Sequence, residues 1–341
     1  MEAAARRVSV LLSASAPGRD GPSRTPAVLD GGSEYGRAAA ALSEMLLSPV
    51  ADRLAGKRVV VVPDGALQYV PFAALPLPSP PGAGHEPVPL IVEHEVVSLP
   101  SASSLAALRR DMAGRVPAAK AVAVLADPVF SADDERVKAR VRGGTGARLP
   151  RLPFARREAE AIAAAAGPGA VTMTALGFEA SRQTATSLGL AQYRIVHFAT
   201  HGVLDAARPE LSGVVFSLVD EQGAPQDGFL RLHDVYNLHL PAELVVLSAC
   251  RTALGQDVKG EGLIGLTRGF MYAGAARVVA SLWQVDDAST SELMGRFYWK
   301  MLRDGERPAA ALRDAQVAMW REGVWRSPRD WAGFVLQGEW R

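Results

Sequence analysis

The chain has 341 residues, 48% of them hydrophobic, with 32 glycines and 23 prolines, which is typical of a globular protein with one large or two modest domains. Its formal net charge of +1 provides no strong field for a nucleic acid or a membrane partner. A single cysteine excludes an intrachain disulfide framework and a cysteine-rich metal site.

Residues 1–34 are predicted to form a loose arm, because short apolar pieces alternate there with Gly, Pro and Ser. The first apolar run is too short to span a membrane, and the charged residues and proline after it do not resemble a cleaved signal. We therefore expect a cytoplasmic protein without a membrane partner.

Residues 35–130 mix helical and strand patterns. A helical spacing that ends at Gly56 precedes a continuous β-branched run, which is typical of a strand buried on both faces. The predicted elements are, in order, the helix "EYGRAAAALSEMLLSPVADRLAG", the strands "KRVVVV" and "LIVEHEVVSLPS", the helix "SSLAALRRDMAG" and the strand "AVAVLADPVF".

Residues 131–153 are charged and rich in glycine, which predicts an exposed loop or linker. A processing or docking loop is the alternative to a plain solvated loop. Residues 154–341 then alternate apolar strands with helices. This alternation predicts an α/β fold, with βαβ units around a mostly parallel sheet that is flanked by helices on both faces.

Two predicted strands of the second half end on residues that can carry chemistry. "RIVHFATHG" ends at His201, and "LVVLSACRT" ends at Cys250. Ligands meet a parallel sheet at the carboxyl ends of its strands, so neighbouring strands would present an imidazole and a thiol at one edge. That is the dyad of nucleophilic thiol catalysis, in which the histidine takes the thiol proton and the thiolate attacks a carbonyl.

Gly202 and Cys250 are the candidate backbone donors of an oxyanion hole. Gly202 has no Cβ, so its N–H can approach a substrate oxygen closely, and the N–H of Cys250 would be the second donor. The alternative for Cys250 is a small buried hydrophobe. The sequence separation between His201 and Cys250 favours the dyad, because caspase-type proteases place the histidine about 50 residues before the cysteine.

The other histidines do not indicate a metal site. His197 and His201 are four residues apart on one strand, which spans about 13 Å and is too far for one shared metal. His197 is therefore predicted to be a core histidine whose hydrogen-bonding groups are satisfied. His233 and His239 lack a third ligand and are predicted to be structural. We expect neither a metal nor a cofactor.

Long motifs of the chain resemble the CHAT domain family. The matching text is "IVHFATHG", "LVVLSACRTALG", "GEGLIGLTRGFMYAGAARVVASLWQVDD", "FYWKML" and "WAGFVLQG", preceded by "RVVVVPDGALQYVPFAAL" and "HEVVSLPSASSL". The resemblance covers roughly residues 35–341. It implies a caspase-hemoglobinase fold, related to those of separases, caspases and gingipains, and cysteine endopeptidase activity.

The resemblance also implies roles for individual residues. The family histidine maps to His201, its cysteine to Cys250, and the amide after the histidine to Gly202. Residues 35–130 would be an N-terminal, pseudo-protease-like part of the domain, and residues 154–341 the caspase-like catalytic part.

Two features depart from the family pattern. Arg251 stands where many members have glutamate; it would lower the thiol pKa if it points inward, and the alternative is a surface position. Members are often attached to tetratricopeptide repeats, and no such repeats are visible here. The chain is therefore either a fragment or dependent on a separate regulatory partner, such as a tetratricopeptide-repeat protein.

Asp286 is the candidate specificity residue. It follows the strand "ARVVASLW", and the corresponding region of separase-like relatives helps to line the first specificity pocket. An aspartate there would select Arg or Lys before the cut bond. The alternative is that Asp286 or Asp287 caps the helix that starts near Ser289.

The function predicted from the sequence is a cysteine endopeptidase that cleaves a protein partner after a basic residue. The Ala-, Arg- and Gly-rich composition is typical of a GC-rich bacterium, and the setting we expect is bacterial signalling or defence. One alternative is a non-catalytic, caspase-like interaction scaffold. A second is an esterase or amidase that uses the same dyad on small acyl substrates.

Overall fold

The computed structural model describes residues 1–13, 32–78, 86–138, 149–204, 208–253 and 261–341. The side chains of residues 204, 209, 249–253 and 261–264 lie outside this description, and so do parts of the predicted arm (14–31) and of the predicted linker (139–148). None of the described helices has both the length and the apolar character that a bilayer crossing requires.

Helices and strands alternate along the chain. The helices are α1 Glu2–Ser13, α2 Glu34–Leu46, α3 Leu90–Glu93, α4 Ala102–Met112, α5 Pro153–Ala166, α6 Arg182–Ala185, α7 Leu232–Tyr236, α8 Glu261–Tyr272, α9 Asp287–Leu302, α10 Pro308–Glu322 and α11 Pro328–Trp331. The strands are β1 Val59–Val61, β2 Val96–Ser98, β3 Lys120–Ala126, β4 Thr172–Leu176, β5 Tyr193–Leu204, β6 Gly213–Val215, β7 Phe229–Arg231, β8 Leu244–Ala253, β9 Arg277–Ser281 and β10 Phe334–Gly338.

The chain divides into two compact units. The first unit consists of residues 1–110 together with 282–341, and the second consists of residues 111–281. This division differs from the predicted one, because the predicted linker 131–153 lies inside the second unit. The C-terminal residues belong with the N-terminal ones, since β10 pairs in parallel with β2 in the first unit.

The N-terminal arm of the prediction is partly a helix. Residues 2–13 form α1, and its Ala5, Val8 and Leu12 are fully buried. These residues recur at a spacing of three and four, so they form one apolar helix face that a loose arm would leave in water. The prediction for β1 also needs correction, because Val60 is 39% exposed and the strand is not buried on both faces.

The second unit contains the sheet that positions the candidate site. Its strands β9, β8, β5, β3 and β4 lie side by side in that order, and each neighbouring pair is parallel. Strand β6 adds an antiparallel pairing to the end of β5, and β7 pairs with β6. The sheet is thus mostly parallel, as the sequence predicted.

Helices cover both faces of this sheet in the second unit. Phe198 of β5 packs against Phe270 of α8, with ring centroids 5.8 Å apart. The next residue toward the N-terminus, His197, contacts Glu158 of α5 instead. Successive residues of a strand point to opposite faces, so α8 and α5 lie on opposite sides. The predicted α/β class, with helices on both faces, is confirmed.

Strands β5 and β8 are longer than the sequence pattern suggested. We expected them to end at His201 and Cys250, but their pairing continues to Leu204 and Ala253. The antiparallel pairing with β6 supports the extra residues of β5 from its other side. At the opposite end, Arg194 and Glu243 form a two-pronged ion pair at 2.9 and 3.0 Å that links the starts of the two strands.

Candidate active site

The parallel pairing of β5 and β8 brings the backbones of the two candidate catalytic residues together. His201 and Cys250 are direct register partners in this ladder. Neighbouring strands of a sheet lie about 5 Å apart, so these two Cα atoms are as close as two strands allow. The side chain of Cys250 lies outside the described part of the chain, so the sulfur–imidazole contact stays a prediction.

The imidazole of His201 is buried and held on two sides. It is 2% exposed, and its Nε2 atom lies 2.7 Å from the carbonyl oxygen of Pro150. The ring of Phe130 packs against it, with centroids 4.9 Å apart. The residue therefore has a defined ring orientation rather than a solvated, rotating one.

The carbonyl of Pro150 determines which nitrogen of His201 carries the proton. A carbonyl oxygen only accepts, so Nε2 must be the donor in this hydrogen bond. In the neutral ring Nδ1 is then the accepting nitrogen, which is the atom that a general base needs. Burial lowers the pKa of His201 below its ordinary value of 6.5, and the hydrogen bond to Pro150 acts in the opposite direction. The ring is consequently neutral at neutral pH.

Arg151, the residue after Pro150, is anchored by an ion pair with Asp127. Its Nε and Nη2 atoms lie 3.0 Å from the two carboxylate oxygens of Asp127, just beyond the end of β3. Arg136 and Arg156 bind the same carboxylate at 3.0 and 3.1 Å. Arg136 and Arg151 of the predicted linker are thus bound to the unit, while several of its other described residues are exposed.

A second buried pair lies on the same face of β5. His197 is fully buried, and its Nε2 lies 2.9 Å from Oε1 of Glu158, which is 1% exposed. His197 and His201 are four residues apart, so both side chains emerge on one face of the strand. The prediction that His197 is a core histidine is confirmed, and its Nε2 contacts the buried carboxylate of Glu158 without hydrogen-bond geometry.

Gly202 lies inside the sheet rather than after the end of a strand. It is opposite Arg251 in β8 on one side and Val214 in β6 on the other. A residue paired on both sides directs its N–H at a neighbouring strand. An oxyanion role for Gly202 therefore requires this end of the ladder to open, and that role stays a prediction.

Asp286 caps a helix in the first unit. Its Oδ1 atom accepts a hydrogen bond from the backbone N–H of Ser289 at 2.9 Å, at the start of α9. Its negative charge also adds to the effect of burial in raising the pKa of Asp330 to about 6. His201 and Cys250 belong to the second unit, so the predicted pocket role of Asp286 stays a prediction beside the observed cap.

The remaining candidates from the sequence are His233 and Arg251. His233 is largely exposed, and its Nε2 lies 3.4 Å from Asp234. Among the described residues, no three His, Cys, Asp or Glu side chains are grouped as a metal site would require. Only the backbone of Arg251 is described, so the direction of its side chain is outside the description.

Sequence reasoning missed three residues of the site: Pro150, which bonds to His201; Asp127, which binds Arg151; and Glu158, which contacts His197. Asp127 follows a buried strand, as the candidates His201 and Cys250 were thought to do, so the same rule would have found it. Pro150 acts through its backbone, and Glu158 sits in an otherwise ordinary helix. Neither carries a signal in the sequence.

Comparison with known proteins gives one family and several more distant likenesses. The family described as CHAT domain matches residues 36–339. Human tetratricopeptide repeat protein 28 is 28% identical over an alignment of 311 residues that covers 83% of this chain and 12% of that protein. The chain thus spans about an eighth of the length of this curated relative.

Solved structures are similar at a lower level. The Saccharomyces cerevisiae separase–securin complex matches 82% of this chain and 16% of that chain, with 13% identity and a TM-score of 0.49. The Arg-specific cysteine proteinase gingipain R matches 72% of this chain and 54% of that chain, with 10% identity and a TM-score of 0.43.

Proposed function

The chain belongs to the CHAT domain family, as its motifs predicted, and we propose that it is a cysteine endopeptidase with His201 and Cys250 as its dyad. Family membership brings the caspase-hemoglobinase fold, in agreement with the parallel sheet between two layers of helices. The observation that carries the proposal is the register pairing of His201 with Cys250, beside an imidazole oriented by Pro150.

The proposed reaction begins with proton transfer from the Cys250 thiol to Nδ1 of His201. The thiolate then attacks the carbonyl carbon of the peptide, forming a C–S bond. The N–H groups of Gly202 and Cys250 stabilise the resulting oxyanion once the end of the ladder opens. As the C–N bond breaks, His201 returns its proton to the leaving amine, and water hydrolyses the thioester.

We propose that the substrate is a protein partner cut after a basic residue. A carboxylate at Asp286 would bind the guanidinium or ammonium group of that residue. The setting we propose is a cytoplasmic one in bacterial signalling or defence. A tetratricopeptide-repeat protein is the proposed regulator, since such repeats are named in a relative of this chain.

The experiment that tests the proposal is a comparison of protein N-termini in a lysate after adding the wild-type protein or Cys250→Ala. We expect new N-termini only with the wild type, mostly after Arg or Lys. Cys250→Ser should behave like Cys250→Ala with the same melting temperature. His201→Ala should also be inactive and still folded, with a lower melting temperature because a buried ring is lost. Full cleavage by Cys250→Ala would exclude this cysteine as the nucleophile.

One observation favours the alternative of a non-catalytic scaffold. His201 is almost wholly buried, and Gly202 is paired with strands on both sides, which is a closed arrangement. A scaffold would leave no new N-termini even with a regulatory partner present. It would also bind that partner equally well as wild type or Cys250→Ala. An esterase or amidase would instead hydrolyse small acyl substrates, and it would show no sequence preference when tested on a peptide library.

A further inference from the structure

We propose that Asp127 is a positioning residue for His201, acting through Arg151 and the carbonyl oxygen of Pro150. This inference rests on the proposed function of the dyad. It concerns how the imidazole is aimed, and it assigns to Asp127 a role that neither its family match nor its sequence pattern indicates.

Asp127 is fixed in place more firmly than a surface aspartate. Its side chain is fully buried, and its backbone has a φ of +49°, a left-handed conformation that is uncommon outside glycine. It directly follows β3, the strand that pairs with β5 on the side away from β8. The carboxylate therefore has a fixed position relative to the strand that carries His201.

Arg151 connects the carboxylate of Asp127 to the backbone next to His201. Its guanidinium makes two parallel bonds to Asp127, a geometry that fixes orientation as well as distance. A third bond, at 2.7 Å, joins the same guanidinium to Glu135. The residue before Arg151 is Pro150, and its carbonyl oxygen is the acceptor for Nε2 of His201. Because two hydrogen bonds fix Arg151, they also fix the carbonyl oxygen of the adjacent Pro150.

Neighbouring contacts hold the rest of this segment. Leu149 packs against the cluster of Phe130, Val203 and Val215. On the C-terminal side, Arg156 also binds Asp127. The two bonds from Arg151 to Asp127 hold the residue next to Pro150, so their loss should shift the carbonyl and release the ring more than it loosens the fold.

The chemical consequence concerns the two ring nitrogens. With Pro150 in place, Nε2 is the donor and Nδ1 is the acceptor that can take the thiol proton. If the carbonyl moves away, a buried Nε2–H loses its partner, and the other tautomer or another rotamer becomes favourable. The imidazole is then present, but its accepting nitrogen is no longer held in the orientation that the proposed dyad requires.

The test uses the single cysteine of the chain as the reporter. The rate of alkylation by iodoacetamide is measured from pH 5.5 to 9 for the wild type, His201→Ala, Asp127→Asn and Arg151→Gln. Arg151→Lys serves as the conservative variant. Glu221→Gln is the matched control, because Glu221 pairs with Lys138 of the same segment and is not bonded to Asp127, Arg136 or Arg151. Thermal melting verifies that each variant is folded.

We expect Asp127→Asn and Arg151→Gln to lower the alkylation rate near pH 6.5 by about tenfold to a hundredfold, as a misplaced catalytic group does. Their pH profiles should approach that of His201→Ala, and the rates should converge at pH 9, where the thiol ionises without help. Arg151→Lys should be intermediate, and Glu221→Gln should match the wild type.

Two failures are distinguishable. If His201→Ala reacts like the wild type at every pH, there is no dyad, and the proposed function and this inference are both wrong. If His201→Ala is slow while Arg151→Gln follows the wild-type profile, only the positioning role is wrong. Arg151 is one-third exposed, so Arg151→Gln decides the question even if Asp127→Asn does not fold.

Discussion

Oε1 of Glu158 and Nε2 of His197 lie 2.9 Å apart, with both side chains almost wholly buried. This contact joins helix α5 to strand β5 four residues before His201. It therefore holds the helix that follows Pro150 against the strand that carries the candidate base.

Removing one partner of this pair should cost more than removing both. Glu158→Ala is expected to lower the free energy of unfolding by about 3 kcal/mol, because it removes a buried carboxylate that contacts the imidazole of His197. The double variant Glu158→Leu with His197→Leu should recover most of that loss. Urea unfolding measures both, and equal losses in the single and the double variant would contradict a coupled pair.

The burial of His201 predicts a stability that falls in acid. Its pKa is lower in the folded chain than the ordinary 6.5, so below 6.5 the unfolded chain binds the proton first. Stability should therefore decline as the pH falls below about 6.5. His201→Gln should remove that part of the dependence when unfolding is measured at pH 7.5 and 5.5, whereas His233→Gln, at an exposed position, should not.

Asp330 predicts a pH dependence of the opposite sign. Burial and the charge of Asp286 raise its pKa from 3.8 to about 6, so the folded chain retains a proton that the unfolded chain loses. Stability from this group is full below about 3.8 and is lost as the pH rises through 6. Asp330→Asn should therefore stabilise the protein at pH 7, by up to about 3 kcal/mol. The gain should vanish near pH 4; a gain of equal size at both pH values would contradict this assignment.

The cap and the pocket roles of Asp286 can be separated by two substitutions. Asp286→Ala removes the acceptor for Ser289 and should cost about 1 kcal/mol in stability. Asp286→Asn keeps the cap but removes the charge. If Asp286 also lines the specificity pocket, Asp286→Asn should lose cleavage after Arg at least tenfold in kcat/KM, with its melting temperature unchanged or raised. Unchanged cleavage would leave Asp286 with the cap alone.

The sheet was predictable from the sequence because its strands are continuous apolar runs. The segments around His201 and Cys250 form neighbouring parallel strands, as their pattern indicated. Short elements were less predictable. The run "LIVEHEVVSLPS" was predicted as one strand, but Leu90–Glu93 is a helical turn and only Val96–Ser98 is a strand. Local spacing cannot separate these alternatives in so few residues.

Within the second half of the chain, the sequence pattern of "EASRQTATSLG" predicts a helix over the whole segment, but the α-helix there spans only Arg182–Ala185. The hydroxyl of Thr186 donates to the carbonyl of Arg182, and such side-chain bonds compete with a continuing helix. The contacts of His201 could not be predicted from the sequence for a different reason. Pro150 lies 51 residues away in sequence and contributes a backbone oxygen, so its residue type does not indicate the contact with His201.

The first unit is assembled from both ends of the chain, with residues 111–281 inserted between its halves. During translation, residues 1–110 leave the ribosome first and then wait while the inserted unit is made. At ordinary synthesis rates that interval lasts roughly ten to thirty seconds. Strand β2 lacks its neighbour β10 for that time, so a nascent chain would expose an unpaired edge that chaperones are suited to shield.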